Sequence, residues 1–328
     1  MLIHVPCGLC GANNTHTLFT ATDTNYYFAG RFNIVRCKEC GLVYLNPRPD
    51  QDSILQYYPD QDYTCFKETT IPTPLTSNHP MLLMARSEAI NVRALCDIGS
   101  GIGSFLLKAQ LAGYEVAGIE PHSYALNLAN RALKQECVYR DFETANFPNE
   151  AFDAVTMWHV FEHLPHLKET LLEIHRILRS PGILSLAVPN FSSLERRLWG
   201  PNWIAIMAPT HFYHFTENSL TQLLEMCGFE VVSIQQHMGA TSLAANLLRS
   251  ARNVVCSAKE LLKIDPIAST PIESTDNDRV LRQSPSFTMG ESRKERIRDT
   301  LTWLVSPAAW LIAKCGLGPE LMVHAVKR

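Results

Sequence analysis

Neither sign of charge dominates this chain. Across 328 residues, 29 lysines and arginines stand against 32 aspartates and glutamates, a formal net charge of -3. That near-balance excludes a global electrostatic pull towards nucleic acid or an anionic membrane and leaves only local patches. A secretory signal is lacking, since residues 1–10 have no basic start followed by an apolar run. Internal repeats are lacking too. With 46% hydrophobic residues, the composition fits neither a disordered nor a collagen-like chain. An uncharged, mostly apolar run at residues 301–313 has 13 residues, short of the roughly 20 that span a bilayer. It reads as a helix packed on the core, with peripheral contact at a membrane surface as the weaker alternative.

Ten cysteines are present, yet only Cys7/Cys10 and Cys37/Cys40 are paired in sequence. The rest are scattered singly, which is metal-site usage in a reducing compartment and not a disulfide framework. A cytoplasmic address follows as the expectation. The two pairs are separated by 26 residues, and glycines, Gly11 and Gly41, follow both. Two tight turns of this kind supply four thiolates to a tetrahedral Zn²⁺. With four cysteines and no open position, the expected zinc is structural. Arg31 and Arg36 between the pairs, with Lys38 inside the second, form no basic cluster, which argues against a nucleic-acid grip.

At roughly 150 residues per domain the length suggests about two units. Residues 1–48 read as the zinc ribbon and 49–90 as a linker and helical approach. Residues 91–237 form the regular core, 238–319 a helical or mobile insertion able to act as a lid, and 320–328 a last strand. Within the core, strands are expected at 94–98, 115–119, 137–139, 152–158, 183–188 and 229–234. Helices are expected at 104–112, 123–135, 167–178 and 217–226, the third from leucines and isoleucines at helical spacing. Such alternation predicts an α/β fold, a Rossmann-like, doubly wound, mostly parallel sheet with helices on both faces.

Asp97-Ile98-Gly99-Ser100-Gly101-Ile102-Gly103 joins the first core strand to its helix. Glycines there allow a sharp turn and close approach to a ligand beyond the strand ends. Glu120, 17 residues after Gly103, ends the next strand, where a carboxylate accepts both hydroxyls of a ribose. Asp97 ahead of the glycines repels a pyrophosphate but suits a cationic, amino-bearing ligand. A dehydrogenase is thereby disfavoured.

With these residues in view, 91–237 resembles the class I S-adenosylmethionine-dependent methyltransferases. The likeness continues through Phe152–Val155, the run His159-Val160-Phe161-Glu162-His163-Leu164 and Pro189-Asn190. The resemblance implies that Asp97, Gly99, Ser100, Gly101 and Gly103 line the methionine end. It implies Glu120 and Pro121 at the ribose, Asp141 and Phe142 by the adenine, and Trp158 and His159 beside the transferred methyl. The cysteine spacing and residues 41–49 are similar to zinc-bearing sugar C-methyltransferases, although no glutamate matches theirs near residue 211. The implied reaction is O- or C-methylation of a small molecule, first a sugar or glycoconjugate precursor. An RNA methyltransferase whose ribbon binds RNA, or a non-catalytic cofactor-binding module, are the alternatives.

His211 is the expected base, with Tyr213, His214 and His159 as further catalytic candidates; histidine titrates near neutrality. Glu162 and His163 read as structural. Trp199, Trp203, Trp303 and Trp310 are candidates to wall the acceptor cavity.

Overall fold

A computed structural model describes residues 1–23, 30–58, 73–237 and 314–328. The expected helix at 301–313, Trp303, Trp310 and nearly all of the 238–319 insertion lie outside the described residues.

The core sheet follows from short apolar runs that are buried on both faces. Its strands are β6 (Ala94–Ile98), β7 (Glu115–Ile119), β8 (Val138–Tyr139), β9 (Phe152–Trp158), β10 (Leu178–Pro189), β12 (Glu230–His237) and β13 (Glu320–Lys327). Their spatial order is β12-β13-β10-β9-β6-β7-β8. The pairs β6–β7, β6–β9, β7–β8 and β9–β10 are parallel, whereas β13 runs antiparallel to both β10 and β12. The expected last strand thus enters between β10 and β12, where Leu321, Val323, Ala325 and Val326 are buried. Asp153 fixes the register of β9 against β6. It accepts from the backbone N–H groups of Arg93 and Ala94 at 2.8 and 2.9 Å and from Arg179 at 2.6 Å.

The crossover helices are α3 (Ser104–Leu111), α4 (Ser123–Leu133), α5 (Phe142–Ala145), α6 (Leu167–Ile177) and α8 (Glu217–Met226), with α7 (Leu194–Trp199) after β10. On α6, Leu167, Leu171, Ile174 and Ile177 are buried, each contributing roughly 1.5–3 kcal/mol; Leu172, although in helical phase, is exposed. Thr216 and Ser219 form a reciprocal capping box that starts α8.

Several boundaries differ from the sequence expectation. Strand β10 begins at Leu178 rather than 183, because its partner β9 accommodates Ser180-Pro181-Gly182 as an irregularity between Leu178 and Ile183. The helical approach expected within 49–90 is α2 (Pro80–Ser87), which buries Met81, Leu82 and Ala85.

The N-terminal part also departs from a self-contained module. Strands β2 (Thr15–Ala21), β3 (Phe32–Cys37) and β4 (Val43–Leu45) form an antiparallel sheet. Its fourth strand, β11 (Tyr213–His214), comes from the loop before α8 and pairs Tyr213 with Tyr44 and His214 with Val43. A small hairpin-like pair, β1 (Leu2–Ile3) with β5 (Arg48–Pro49), leads into the short helix α1 (Gln51–Ile54). Two residues are too few to be read as a strand from sequence; β4 supplies the partner that makes them one.

Candidate active site

The strand ends of β6, β7 and β9 converge, as expected of a parallel sheet whose ligands bind beyond its carboxyl edge. Asp97, buried at the end of β6, accepts a hydrogen bond from Thr156 on β9 at 2.5 Å. Burial raises its pKa to about 7, the Thr156 bond opposing and neighbouring Glu120 adding to the shift. The turn that follows is strained left-handed: Gly99, Gly101 and Gly103 have φ of 72°, 55° and 79°. Gly99 is pinned by its N–H to the Ile119 carbonyl, and a Cβ there would strike Val160. A Cβ at Gly103 would meet Ala129 of α4 at 2.9 Å, so this glycine serves close helix packing as well as the start of α3. Gly101 differs from both, since nothing lies within 4 Å of its Cβ position. The space in front of it is open to a ligand.

Glu120 faces that space. Its carboxylate accepts from Gly101 N–H at 2.8 Å and from His122 N–H at 2.9 Å, and burial raises its pKa despite both bonds. Two oxygens with one donor each keep lone pairs for further hydroxyls. Pro121 beside it is exposed. Asp141 uses one oxygen to cap α5 at Thr144 N–H, 2.7 Å away, and Phe142 is half-buried behind it.

Three aromatic rings close the other side. Trp158, at the end of β9, meets Phe105 and His79 edge-on at centroid distances of 5.6 and 5.8 Å. Trp158 Nε1, His79 Nδ1 and Ser100 Oγ are all buried without a hydrogen-bond partner. Such orphaned polar atoms around an open glycine turn fit a polar ligand that supplies their partners. His79 and Phe105 escaped the sequence reading; the signal available was an aromatic immediately before the proline that starts α2 and another in the first turn of α3.

The acceptor-side candidates separate by environment. His159 has φ 56°, and Nε2 reaches Glu320 of β13 at 2.8 Å while Nδ1 lies 3.6 Å from Glu162. Burial lowers its pKa, but the two carboxylates outweigh it and hold it near 10. His211 is buried, with Nδ1 3.0 Å from the Ala205 carbonyl and its ring edge-on to His163 at 4.5 Å. Burial and the neighbouring His163 and His214 keep it neutral. His214 is buried against Phe191, and burial with Arg196 nearby lowers its pKa to about 3.

Tyr213 is placed elsewhere. Its hydroxyl accepts from Arg48 at 3.0 Å and donates to the Pro165 carbonyl at 3.3 Å, and its ring lies where a Cβ on Gly8 would sit. It therefore joins the first cysteine turn to the core. Trp203 is core as well, donating to Glu195 at 3.2 Å, while Trp199 is partly buried beside it.

Sulfur atoms of all four paired cysteines lie within 4.8 Å of one another, with Cys7–Cys40 at 3.4 Å and Cys10–Cys37 at 3.5 Å. The two turns repeat one pattern: Gly11 N–H bonds to Cys7 O and Gly41 N–H to Cys37 O. Tetrahedral zinc at about 2.3 Å from each sulfur spaces its ligands roughly 3.8 Å apart, so this donor set fits.

Residues 79–234 match a family model described as a methyltransferase domain. A sterol 24-C-methyltransferase (ERG6A) of Gibberella zeae is 31% identical over 98 residues, which cover 27% of this chain and 26% of that enzyme. The match thus spans about a quarter of the curated relative. Among solved structures, an S-adenosylmethionine-dependent methyltransferase from Archaeoglobus fulgidus is 21% identical with a TM-score of 0.43, covering 75% of this chain and 92% of that one. Another from Mesorhizobium loti is 14% identical with a TM-score of 0.43, covering 76% and 99%. Residues 79–234, a little under half of the chain, are thus similar to methyltransferase domains.

Proposed function

We propose that the chain transfers the methyl group of S-adenosylmethionine to a small molecule, a sugar or glycoconjugate precursor being the first substrate class. The carrying observation is the pairing of two buried carboxylates, Asp97 and Glu120, across the open face of Gly101. S-adenosylmethionine supplies an electrophilic methyl carbon on a sulfonium. Asp97 offers the charge for its ammonium and Glu120 the acceptors for its ribose. Asp141 and Phe142 flank the adenine, and Trp158 packs beside the sulfonium end. Catalysis then consists of holding the acceptor about 3–3.5 Å from the methyl and excluding water. The acceptor side, Glu162 with His163 and His211, presents lone pairs for a positive charge. His159, already charged, is suited to orienting and not to taking a proton.

Zinc in the four-cysteine site is part of this proposal. Cys7, Cys10, Cys37 and Cys40 would hold it, and its chemistry there is structural, since all ligand positions are thiolates. Support for a small acceptor comes from the joining of the cysteine sheet to β11 in the loop before α8. The sugar class rests on the similarity of the cysteine spacing to sugar C-methyltransferases.

The test is label transfer. Purified chain and methyl-tritiated S-adenosylmethionine are incubated with fractionated extract from cells lacking the gene. Label is expected in a nucleotide-sugar or glycolipid fraction. Label confined to RNA would replace the substrate reading, and failure to bind S-adenosylhomocysteine would remove the cofactor reading altogether.

A further inference from the structure

The side chain of Glu162 is fully buried, and neither carboxylate oxygen has a hydrogen-bond partner. A buried carboxylate demands compensation. Around it, besides His159 at 3.6 Å, stand further acceptors. A carboxylate oxygen of Glu162 and one ring nitrogen each of His163 and His211 lie within 4.8 Å of one another.

Both rings are locked by the backbone. His163 Nδ1 is 2.9 Å from both the Thr210 carbonyl and the Tyr58 hydroxyl, and His211 Nδ1 is 3.0 Å from the Ala205 carbonyl. A carbonyl only accepts, so each Nδ1 carries the hydrogen and each Nε2 keeps its lone pair. Nε2 of His211 stands 4.0 Å from Glu162 Oε1 with no hydrogen between them. A histidine whose second nitrogen is tied to a backbone carbonyl is the outer arrangement of metal-bound imidazoles. His159 is shared between Glu162 at 3.6 Å and Glu320 at 2.8 Å, one imidazole for two carboxylates.

We infer that Glu162, His163 and His211 form a binding site for a divalent first-row transition-metal ion, with its remaining positions open to an oxygen ligand. Two imidazoles and a carboxylate suit manganese, iron, cobalt or zinc better than magnesium or calcium. Ligand atoms around such an ion stand roughly 3–3.5 Å apart, so binding draws the three side chains inward, and half-buried His163 gives the way in. On the methyl-transfer reading, on which this last step alone rests, the open position takes an oxygen of the acceptor and acidifies it.

The experiment uses the full chain loaded with zinc in its cysteine site and titrated with Mn²⁺ alone, free ion being followed by electron paramagnetic resonance. Manganese avoids thiolates, so the two sites are read separately. One saturable Mn²⁺ per chain is expected, with affinity reduced at least about tenfold in Glu162→Gln, His163→Gln and His211→Gln. Thermal melts verify that each variant is folded. Co²⁺ gives the second readout: d–d bands without sulfur charge transfer, lost in the same variants. A second zinc present at purification and lost in these variants counts as the same result. No saturable binding of either ion up to about 1 mM, or binding that the substitutions leave unchanged, overturns the site. Neither readout involves methyl transfer, so a failure here is distinct from a failure of the enzyme reading.

Discussion

Arg48 and Tyr213 are 165 residues apart in sequence, yet the Arg48 guanidinium donates to the Tyr213 hydroxyl at 3.0 Å in a buried contact. The same guanidinium donates to the Pro165 carbonyl and stacks over Phe212 at 4.6 Å. One side chain thus ties β5, the loop after β9 and the strand β11 together.

Tyr213→Phe is expected to remove an acceptor from a buried charge and cost about 1.5–3 kcal/mol. Thermal denaturation reads this as a fall of several degrees. Turnover below the melting transition should stay within about twofold of wild type, because the hydroxyl bonds the clamp and not the acceptor side. A large loss of kcat at unchanged stability would reinstate Tyr213 as catalytic.

Asp97 sets a pH dependence. Its folded pKa, raised to about 7 from 3.8, means that the folded state holds the proton more tightly than the unfolded one. The associated stability is present at low pH and is lost as pH rises from about 4 through 7. Ligand-free Asp97→Asn should therefore be more stable than wild type above pH 7, by about 1–3 kcal/mol. It should also bind S-adenosylhomocysteine at least about tenfold more weakly, having lost the charge that meets the ammonium. Calorimetry across pH 5–8.5 checks both, and wild-type affinity should rise with pH as Asp97 ionises.

Gly101 and Gly103 should respond differently to the same alanine substitution. At Gly103 the left-handed backbone and the approach to Ala129 add together, for a loss of about 2–4 kcal/mol. At Gly101 only the backbone term applies, about 1–2 kcal/mol, and the methyl enters the open space. Gly101→Ala is expected to fold and to lose cofactor affinity out of proportion to its stability, as measured by melts and by S-adenosylhomocysteine titration.

Chelation tests the cysteine site. Removing zinc, or changing Cys37→Ser, is expected to lower the melting temperature and to free the edge of β4 that β11 occupies. Hydrogen exchange at Tyr213 and His214 should rise together with that at Val43 and Leu45. Protection unchanged in β11 would show that the clamp at Arg48 suffices without metal.

How much of this was legible beforehand depends on the range of the interactions. The parallel sheet could be read because each strand is a short apolar run followed by a helical pattern, and β13 sits at Glu320–Lys327 as expected. The glycine turn, Asp97 and Glu120 were readable because their spacing along one β-α-β unit fixes where they meet. Four cysteines in two repeated turns were readable for the same local reason. Leu172 shows the limit: periodicity placed it on a helix but did not say which face the sheet would cover.

The amino-acid order alone determined the elements, the two carboxylates at the ends of β6 and β7 and the thiol pairs, since each depends on contacts within a few tens of residues. Tertiary structure alone decided what lies across them. It tied the Tyr213 hydroxyl to a buried guanidinium, because Arg48 reached it from β5. It gave β11 a partner that two residues cannot announce. It placed Glu162, read as structural, beside two imidazoles whose hydrogens backbone carbonyls had claimed. That juxtaposition is a property of packing, and no spacing in the sequence encodes it.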